Sequence, residues 1–318
     1  MEPANPGDGC DLAVGAAGRR KAFVRYLREG PLPRMETMSG REGGTTPEIT
    51  IIIPTVDGRR GGNLAHLLAQ IERQTFQRFE IILVVGDRRQ GRAINLAAAL
   101  ACGGILLTLD DDTHLDREDL IERIVAAFAA DSTIGIAGVS NTVPADAPWV
   151  VRRAMRELPR RTSAAVRAVT ESDMAEHPCL AIRKEIFYRV GGEHELIPRG
   201  LDPYLRREVR RLGYRVVVIP GPGIHHLLPG TLGGILRQYF RNGVGAAYVQ
   251  KFFPSFVIDQ ALSHRQTPRN RGLSRRAARY LSRLAIAFLT FRWIYLGTLI
   301  SYAMGYAWGM RTLMEDSL

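Results

Sequence analysis

Apolar positions in this chain follow two rhythms in turn. Residues 48–54, EITIIIP, form a nearly continuous apolar run of the kind buried on both faces of a parallel sheet. Gly61, Gly62 and Asn63 interrupt it. A helix is predicted over 64–74, where Leu64, Leu67, Leu68 and Ile71 keep a 3.6-residue period. The pattern then repeats as a strand at 79–85, a helix at about 92–101, a strand at 105–109, a helix at 117–130 and a short strand at 134–139. Strands alternating with helices of this length imply right-handed crossovers and an α/β sheet with helices on both faces. Residues 1–47 are rich in Gly, Pro and charge and are expected to be mostly disordered, apart from a short helix at 21–28.

Two of these strands end in acid. Asp87 follows the second, and Asp110, Asp111 and Asp112 follow the third. Ligands of open α/β sheets bind at the carboxyl edge of the strands, so both turns point to one site. Three adjacent carboxylates are unfavourable unless a cation neutralises them, and a hard divalent ion with oxygen ligands does so. Mg²⁺ takes one or two protein carboxylates and completes its shell with substrate phosphates, which suggests a nucleotide-diphosphate site. The plainer alternative is a solvated acidic turn capping the next helix. The nearby glycines form neither GxGxxG nor a P-loop, so dinucleotide and P-loop readings are weak.

At 318 residues the chain has room for one large α/β domain and an appendage. Cys10, Cys102 and Cys179 show no paired spacing, which points away from disulfides or a zinc site and towards a reducing, cytosolic setting. No secretory signal is expected, because residues 1–20 lack an apolar stretch. The net charge of +11 is concentrated. Between Gln260 and Met314 there is no Asp or Glu, while Arg265, Arg269, Arg271, Arg275, Arg276, Arg279, Arg283, Arg292 and Arg311 supply nine positive charges. The basicity therefore belongs to one segment and its partner.

Five segments in order and spacing resemble the inverting family-2 glycosyltransferases of GT-A fold, membrane-associated enzymes of bacterial or archaeal type. They are IIIPTVDGR at 51–59, QTFQRFEIILVVGDRR at 74–89, the acidic turn, the block RGLDPYLRREVRRLGYRVVVIP at 199–220 and RQYFRNG at 237–243. AIRKEIFYRVGG at 181–192 resembles the segment preceding the family's acceptor region. The resemblance covers roughly 48–245. It implies a Rossmann-like, nucleotide-diphospho-sugar transferase sheet of mixed direction with helices on both faces. It also implies a nucleotide-diphosphate sugar donor, a glycan or lipid-linked acceptor, and Mn²⁺ or Mg²⁺ as cofactor. Asp110, Asp111 and Asp112 match the metal-binding DxD, with the outer two or the last two carboxylates meeting the ion and diphosphate; Asp110 and Asp112 are taken as the metal ligands, with His226 preferred over His225 near the ion. Pro54, Thr55, Asp57, Asp87, Arg92 and Asp111 fall on the nucleotide-sugar side. Arg237, Gln238 and Arg241 lie in the segment that closes over the phosphates. Asp202 occupies the position of the catalytic base. Four departures stand out: Gly86 replaces the first Asp of the base-contacting pair, Leu201 replaces the usual Glu before the base, and Tyr204 and Glu208 replace a later Asp and Arg.

The chemistry suits these residues. Inverting transfer needs an acceptor hydroxyl deprotonated on one face of the sugar while a diphosphate leaves from the other. An Asp acting as general base contributes about 10²–10⁴-fold. Asp202 also precedes Pro203 before a helix predicted at 203–212, so a helix cap is its alternative role, and Glu193 or Glu195 would then be the next candidates for the base. Arg237 and Arg241, one helical turn apart, would clamp phosphate or form a solvated face. Asn95 is a further possible contact to the pyrophosphate. Trp149 with Arg152 and Arg153 is read as an acceptor loop.

Residues 284–310 carry one charge, Arg292. A helix of this length at ~1.5 Å per residue would cross a ~30 Å hydrocarbon core. The chain is accordingly divided into a segment 1–47, a GT-A domain 48–245, a basic juxtamembrane region 246–283, a transmembrane helix 284–310 and a tail 311–318. The preceding arginines place the catalytic domain on the cytoplasmic side of the cell membrane, against an anionic surface. Gly297, Ser301, Gly305 and Gly309 form a small-residue stripe suited to a helix–helix partner. Two amphipathic helices lying on the membrane or packed on the domain are the alternative. Other functions fit less well. A nucleotidyltransferase of the same fold would favour a lysine-rich loop, where 55–62 has only arginines. Nucleic-acid binding through 265–283 would want more interleaved aromatics than Tyr280. An inactive binding or scaffold homologue is the remaining alternative.

Overall fold

The computed structural model describes residues 32–40, 46–198, 200–257 and 273–313. The helix expected at 21–28 lies outside the described residues. Nine strands form one sheet in the order β1-β3-β2-β4-β8-β6-β9-β5, with β7 paired to β9. β2 (Ile49–Thr55), β3 (Phe79–Val85) and β4 (Ile105–Thr108) are parallel, as the apolar runs predict. β8 (Leu180–Arg183) then runs antiparallel between β4 and β6 (Ile134–Asn141), and β9 (Arg215–His225) returns parallel to β6. The short β5 (His114–Leu115) and β7 (Thr170–Glu171) add antiparallel edges to β9. The sheet is therefore mixed.

β1 (Arg34–Ser39) corrects one expectation, since it lies inside the segment read as disordered. Its sequence, RMETMS, is mostly exposed, and its order comes from an antiparallel ladder with β3 rather than from burial of its own side chains.

Alternation along β2 builds two cores. Ile49, Ile51 and Ile53 face α1 (Asn63–Glu72) and α3 (Leu120–Ala130), through Leu64, Leu67, Ile71, Leu120, Ile121 and Ile124. Ile52, with Ile82 and Leu106, faces α2 (Gln90–Leu100), α5 (Lys184–Arg189) and α6 (Leu201–Arg211). Burial on both faces is why these strands read as unbroken apolar runs.

A third layer carries the carboxyl-terminal region. α7 (Leu232–Phe252) runs past the boundary placed at 245 and packs along α9 (Trp293–Thr312); α4 (Trp149–Glu157) and α8 (Leu273–Leu289) complete the group. The single transmembrane helix expected at 284–310 is not found. The chain breaks at 290–292, with Phe291 at φ 55°, and among the described residues no helix is long and apolar enough to cross a membrane. Glu157 explains the break. Its Oε2 accepts from the backbone N–H groups of Ile294 and Tyr295 at 2.9 and 3.1 Å, a carboxylate at the positive end of α9. Arg292, costly in lipid, instead donates to the Glu157 carbonyl and stacks over Tyr295. The small-residue stripe is used within the chain. A Cβ on Gly305 would sit 2.0 Å from the Phe240 carbonyl oxygen, and Ser301 donates to the Leu236 carbonyl at 2.7 Å. Gly297 and Gly309 likewise face α7, so the stripe's helix partner is α7 itself.

Candidate functional site

Strand direction gathers the site. β2, β3 and β4 end at one edge, and β9, parallel to β6, brings His225 and His226 to the same edge. β8 runs the other way, so its beginning lies there, preceded by the 3-10 turn His177–Cys179. α6 feeds β9 from the opposite edge, so its first turn, containing Asp202, also starts at the site.

At the acidic turn, Asp110, Asp112 and His226 offer ligand atoms that all lie within 4.8 Å of one another. His226 Nε2 is 3.3 Å from Asp112 Oδ1 and 3.8 Å from Asp110 Oδ2. Its backbone N–H is fixed by Asn141 Oδ1 at 3.0 Å. His225 points away, as neighbours on a strand must, and its Nδ1 bonds Thr142. Two carboxylates and an imidazole form a donor set that fits Mn²⁺ or Mg²⁺. Burial raises the Asp110 carboxyl to about 6, against the pull of His226. Burial would do the same to Asp112, but His226 and Arg60 outweigh it and hold that carboxyl well below the ordinary range.

Three neighbours of this turn were not read from the sequence. Arg60 Nη2 donates to Asp112 Oδ2 at 2.7 Å, and its Nε lies 3.4 Å from Asp111 Oδ1. Gln90 Nε2 donates to Asp110 Oδ1 at 3.0 Å. Arg161 stacks over Tyr239 of α7 and places a positive charge near His226, whose proton affinity burial would lower but Asp112 and Asp110 raise above the ordinary value. None belongs to a motif. Arg60 opens a 3-10 turn and Gln90 begins α2, so only the fold brings them to the acidic turn.

The nucleotide-side residues divide by structure. Thr55 ends β2, is buried and hydrogen-bonds Asp111. Pro54 pairs with Val84 in the sheet. Asp57 turns back on its own loop, accepting from the backbone of Arg59 and Arg60 at 2.9 and 2.7 Å. Asp87 is buried, with Arg89 and Arg92 each 3.1 Å from its two oxygens. Arg92 is thus engaged with Asp87, and Asn95 does not face the acidic turn but clamps Glu193, donating to its carbonyl at 2.8 Å and accepting from its N–H at 2.9 Å. Arg237 and Arg241 lie exposed on α7 and make no ion pair with the acidic turn, whereas Gln238 Oε1 is buried without a partner. Trp149, Arg152 and Arg153 form a helix against the carboxyl-terminal layer rather than a loop: Arg152 bonds the Ala145 carbonyl and Arg153 bonds Glu157.

Asp202 does not cap its helix. Gly200, at φ 79°, holds the cap position, and Asp202 sits in the first turn with its side chain directed across the chain. Its Oδ1 accepts from the His177 backbone N–H at 2.7 Å and lies 2.5 Å from His177 Nδ1. Two of the departures, Gly86 and Leu201, fit their local surroundings. Gly86 adopts φ 98°, a conformation side chains rarely take. Leu201 is 2% exposed and packs with Ile197, Tyr248, Val249 and Leu313, tying α6 to the third layer.

Comparison with known proteins agrees with this architecture. In fold, the chain resembles a mannosyltransferase. The mannosyltransferase PcManGT from Pyrobaculum calidifontis, solved with GDP-Man and Mn²⁺, superposes with a TM-score of 0.53 at 16% identity, over 92% of this chain and 95% of that one. The 1–349 fragment of S. aureus TarS, solved with UDP, is more distant, at a TM-score of 0.41 and 10% identity over 83% and 91% of the two chains. No protein-family model matches the chain, and no curated protein matches it.

Proposed function

We propose that the chain is an inverting glycosyltransferase that moves a sugar from a nucleotide-diphosphate donor to an acceptor hydroxyl, with Asp202 as general base. The observation that carries this reading is the convergence, on one sheet edge, of the Asp110–Asp112–His226 cluster and the Asp202 carboxylate. The charges of Asp202 and His177 are felt at Asp110, so the two groups share one site. The fold shared with a mannosyltransferase supports the same reading.

Asp110, Asp112 and His226 would hold a divalent ion, which when bound offsets the charge that gathers on a leaving diphosphate. Thr55 and Asp111 shape the turn beneath the donor, and Asp87 with Arg92 forms the wall of the base-binding side. Arg60 occupies the cationic position beside Asp111 and Asp112 and is placed to meet a phosphate. Asp202, 23% exposed at its side chain, keeps one oxygen for the acceptor proton. Arg237, Gln238 and Arg241 of α7 would close over the phosphates of the donor.

The same reading places the protein at the cytoplasmic face of the cell membrane as a peripheral enzyme. Leu281, Ile286, Phe288, Leu289, Phe291, Trp293, Ile300 and Met304 are exposed on α8, α9 and the turn between them, in a segment without acidic residues from Gln260 to Met314. An apolar surface within a basic segment suits anionic lipid headgroups. A lipid-linked acceptor would be delivered there.

The test is a screen of purified protein against GDP-mannose, UDP-glucose and other nucleotide sugars, with Mn²⁺ and with EDTA. Metal-dependent release of the nucleoside diphosphate is the expected result. Nucleotide binding without turnover would favour an inactive homologue, and neither binding nor turnover would overturn the reading.

A further inference from the structure

Behind Asp202 lies a second carboxylate. His177 Nε2 is 2.8 Å from Glu193 Oε1, while its Nδ1 is 2.5 Å from Asp202 Oδ1. The imidazole thus bridges two carboxylates. The side chains of His177 and Glu193 are 4% and 1% exposed, against 23% for Asp202, so the chain runs from a dry end to an open one.

The support for this chain is built from backbone. Asn95 grips both the N–H and the carbonyl of Glu193. Gly91 permits the approach, since a Cβ there would lie 2.5 Å from the His194 carbonyl oxygen. On the other side, Thr113 Oγ1 donates to the Pro178 carbonyl at 3.0 Å, joining the histidine's turn to the acidic turn. Both contacts of His177 with Asp202, ring and backbone, fall on Oδ1.

We infer that His177 and Glu193 are positioning residues for Asp202: they orient its carboxylate so that Oδ2 alone meets the acceptor, and they set its proton affinity. This rests on the reading of Asp202 as the base. The groups facing the triad are Asp110 from the acidic turn and Arg206 from α6, which in turn senses Glu176, Asp173 and Arg160. Burial alone would keep His177 neutral, but the charges of Asp202 and Glu193 raise its proton affinity well above the ordinary value. The resting triad then carries one imidazolium between two carboxylates, net −1. As the acceptor O–H bond breaks, its electron pair stays on the attacking oxygen and its proton goes to Asp202 Oδ2, bringing the triad to zero. A guanidinium in place of His177 would leave Asp202 a permanently weak base. The imidazolium can pass its Nε2 proton to Glu193 when Asp202 fills, so all three groups become neutral in a dry site.

The primary test needs no substrate. The full chain, labelled with ¹⁵N-histidine and ¹³C-aspartate, is titrated by NMR alongside His177→Gln and Glu193→Gln. The His177 ring should remain doubly protonated at pH 7, above its ordinary midpoint of ~6.5. Glu193→Gln should lower its midpoint by about one unit or more, a tenfold loss of proton affinity. His177→Gln should raise the Asp202 midpoint by a similar amount. A neutral His177 ring at pH 7, or an Asp202 midpoint unmoved by both variants, would overturn the inference. If His177→Gln does not fold, the near-isosteric Glu193→Gln carries the test. A second arm measures release of GDP from GDP-mannose with Mn²⁺, or from the donor the screen selects. His177→Gln should move the acid limb of the kcat profile upward, and neither variant should change nucleotide Kd. Normal profiles in both, with Asp202→Asn inactive, would overturn the positioning role and leave the base standing. Full turnover in Asp202→Asn would remove the base and this inference with it.

Discussion

The two carboxylate groups at the sheet edge are built on opposite principles. The acidic turn gathers three carboxylates against one guanidinium and one imidazole, so negative charge is in excess and the partners come from two distant loops. The Asp202 group is dry and clamped, two carboxylates on one buried imidazole, with its support fixed by Asn95. A group left short of cation is suited to receive one with its ligand. A clamped, buried group is suited to hold one atom still. That contrast can be broken experimentally on either side.

The largest expected effect is on the open side. Asp112→Ala removes a carboxylate that His226 and Arg60 hold strongly ionised. Turnover should fall by a factor of ~10³ or more, comparable to loss of a transition-state electrostatic contact. Calorimetry should show Mn²⁺ binding lost, with circular dichroism unchanged. Retained Mn²⁺ binding would mean that the ion is held elsewhere.

On the clamped side, Asp202→Asn keeps volume and removes the proton acceptor, so kcat should fall by ~10² or more. Nucleotide affinity should not change, because the donor contacts are on the other group. A parallel loss of affinity would show that the two groups are not separable.

Proton competition sharpens the comparison further. Burial puts the Asp110 carboxyl at about 6, and a metal needs it ionised. Mn²⁺ affinity should therefore be full above that value and fall about tenfold per unit below it. The sign for stability is opposite. A carboxyl with raised proton affinity disfavours the metal-free fold as pH rises from its unfolded value of ~3.9 to about 6. Thermal unfolding with EDTA should show that loss, and Mn²⁺ should reverse it. A pH-independent Mn²⁺ affinity between 5 and 7 would remove Asp110 from the ligand set.

What could be read from sequence follows the same division. The parallel strands were legible because burial on both faces leaves only apolar side chains, as in β2 and β3. The acidic turn was legible because three like charges in a row need a reason. His177 was not. It precedes a short strand that runs against its neighbours, and only that reversed direction returns it to the site. Asn95 was sought at the pyrophosphate because it lies on the correct helix, but the face it presents depends on where the 193–195 loop passes. The carboxyl-terminal break was hidden for another reason. Hydropathy averages over the turn, and the capping residue, Glu157, lies far away in sequence.

The smallest predicted effect concerns that carboxyl-terminal layer. Its exposed apolar residues and basic charge are proposed to rest on anionic lipid, with Arg283 exposed among them. Each arginine near such a surface contributes ~1 kcal/mol, so Arg283→Gln should weaken binding to vesicles containing phosphatidylserine about fivefold. The contribution is electrostatic and should vanish as salt shortens the Debye length to ~3 Å at 1 M. Phe288→Ser and Trp293→Ser remove apolar area instead, so their losses should persist in salt. Flotation of the full chain with neutral and anionic vesicles separates the cases. Equal binding to both vesicle types would assign the attachment to the apolar face alone, and binding to neither would leave that face for a protein partner.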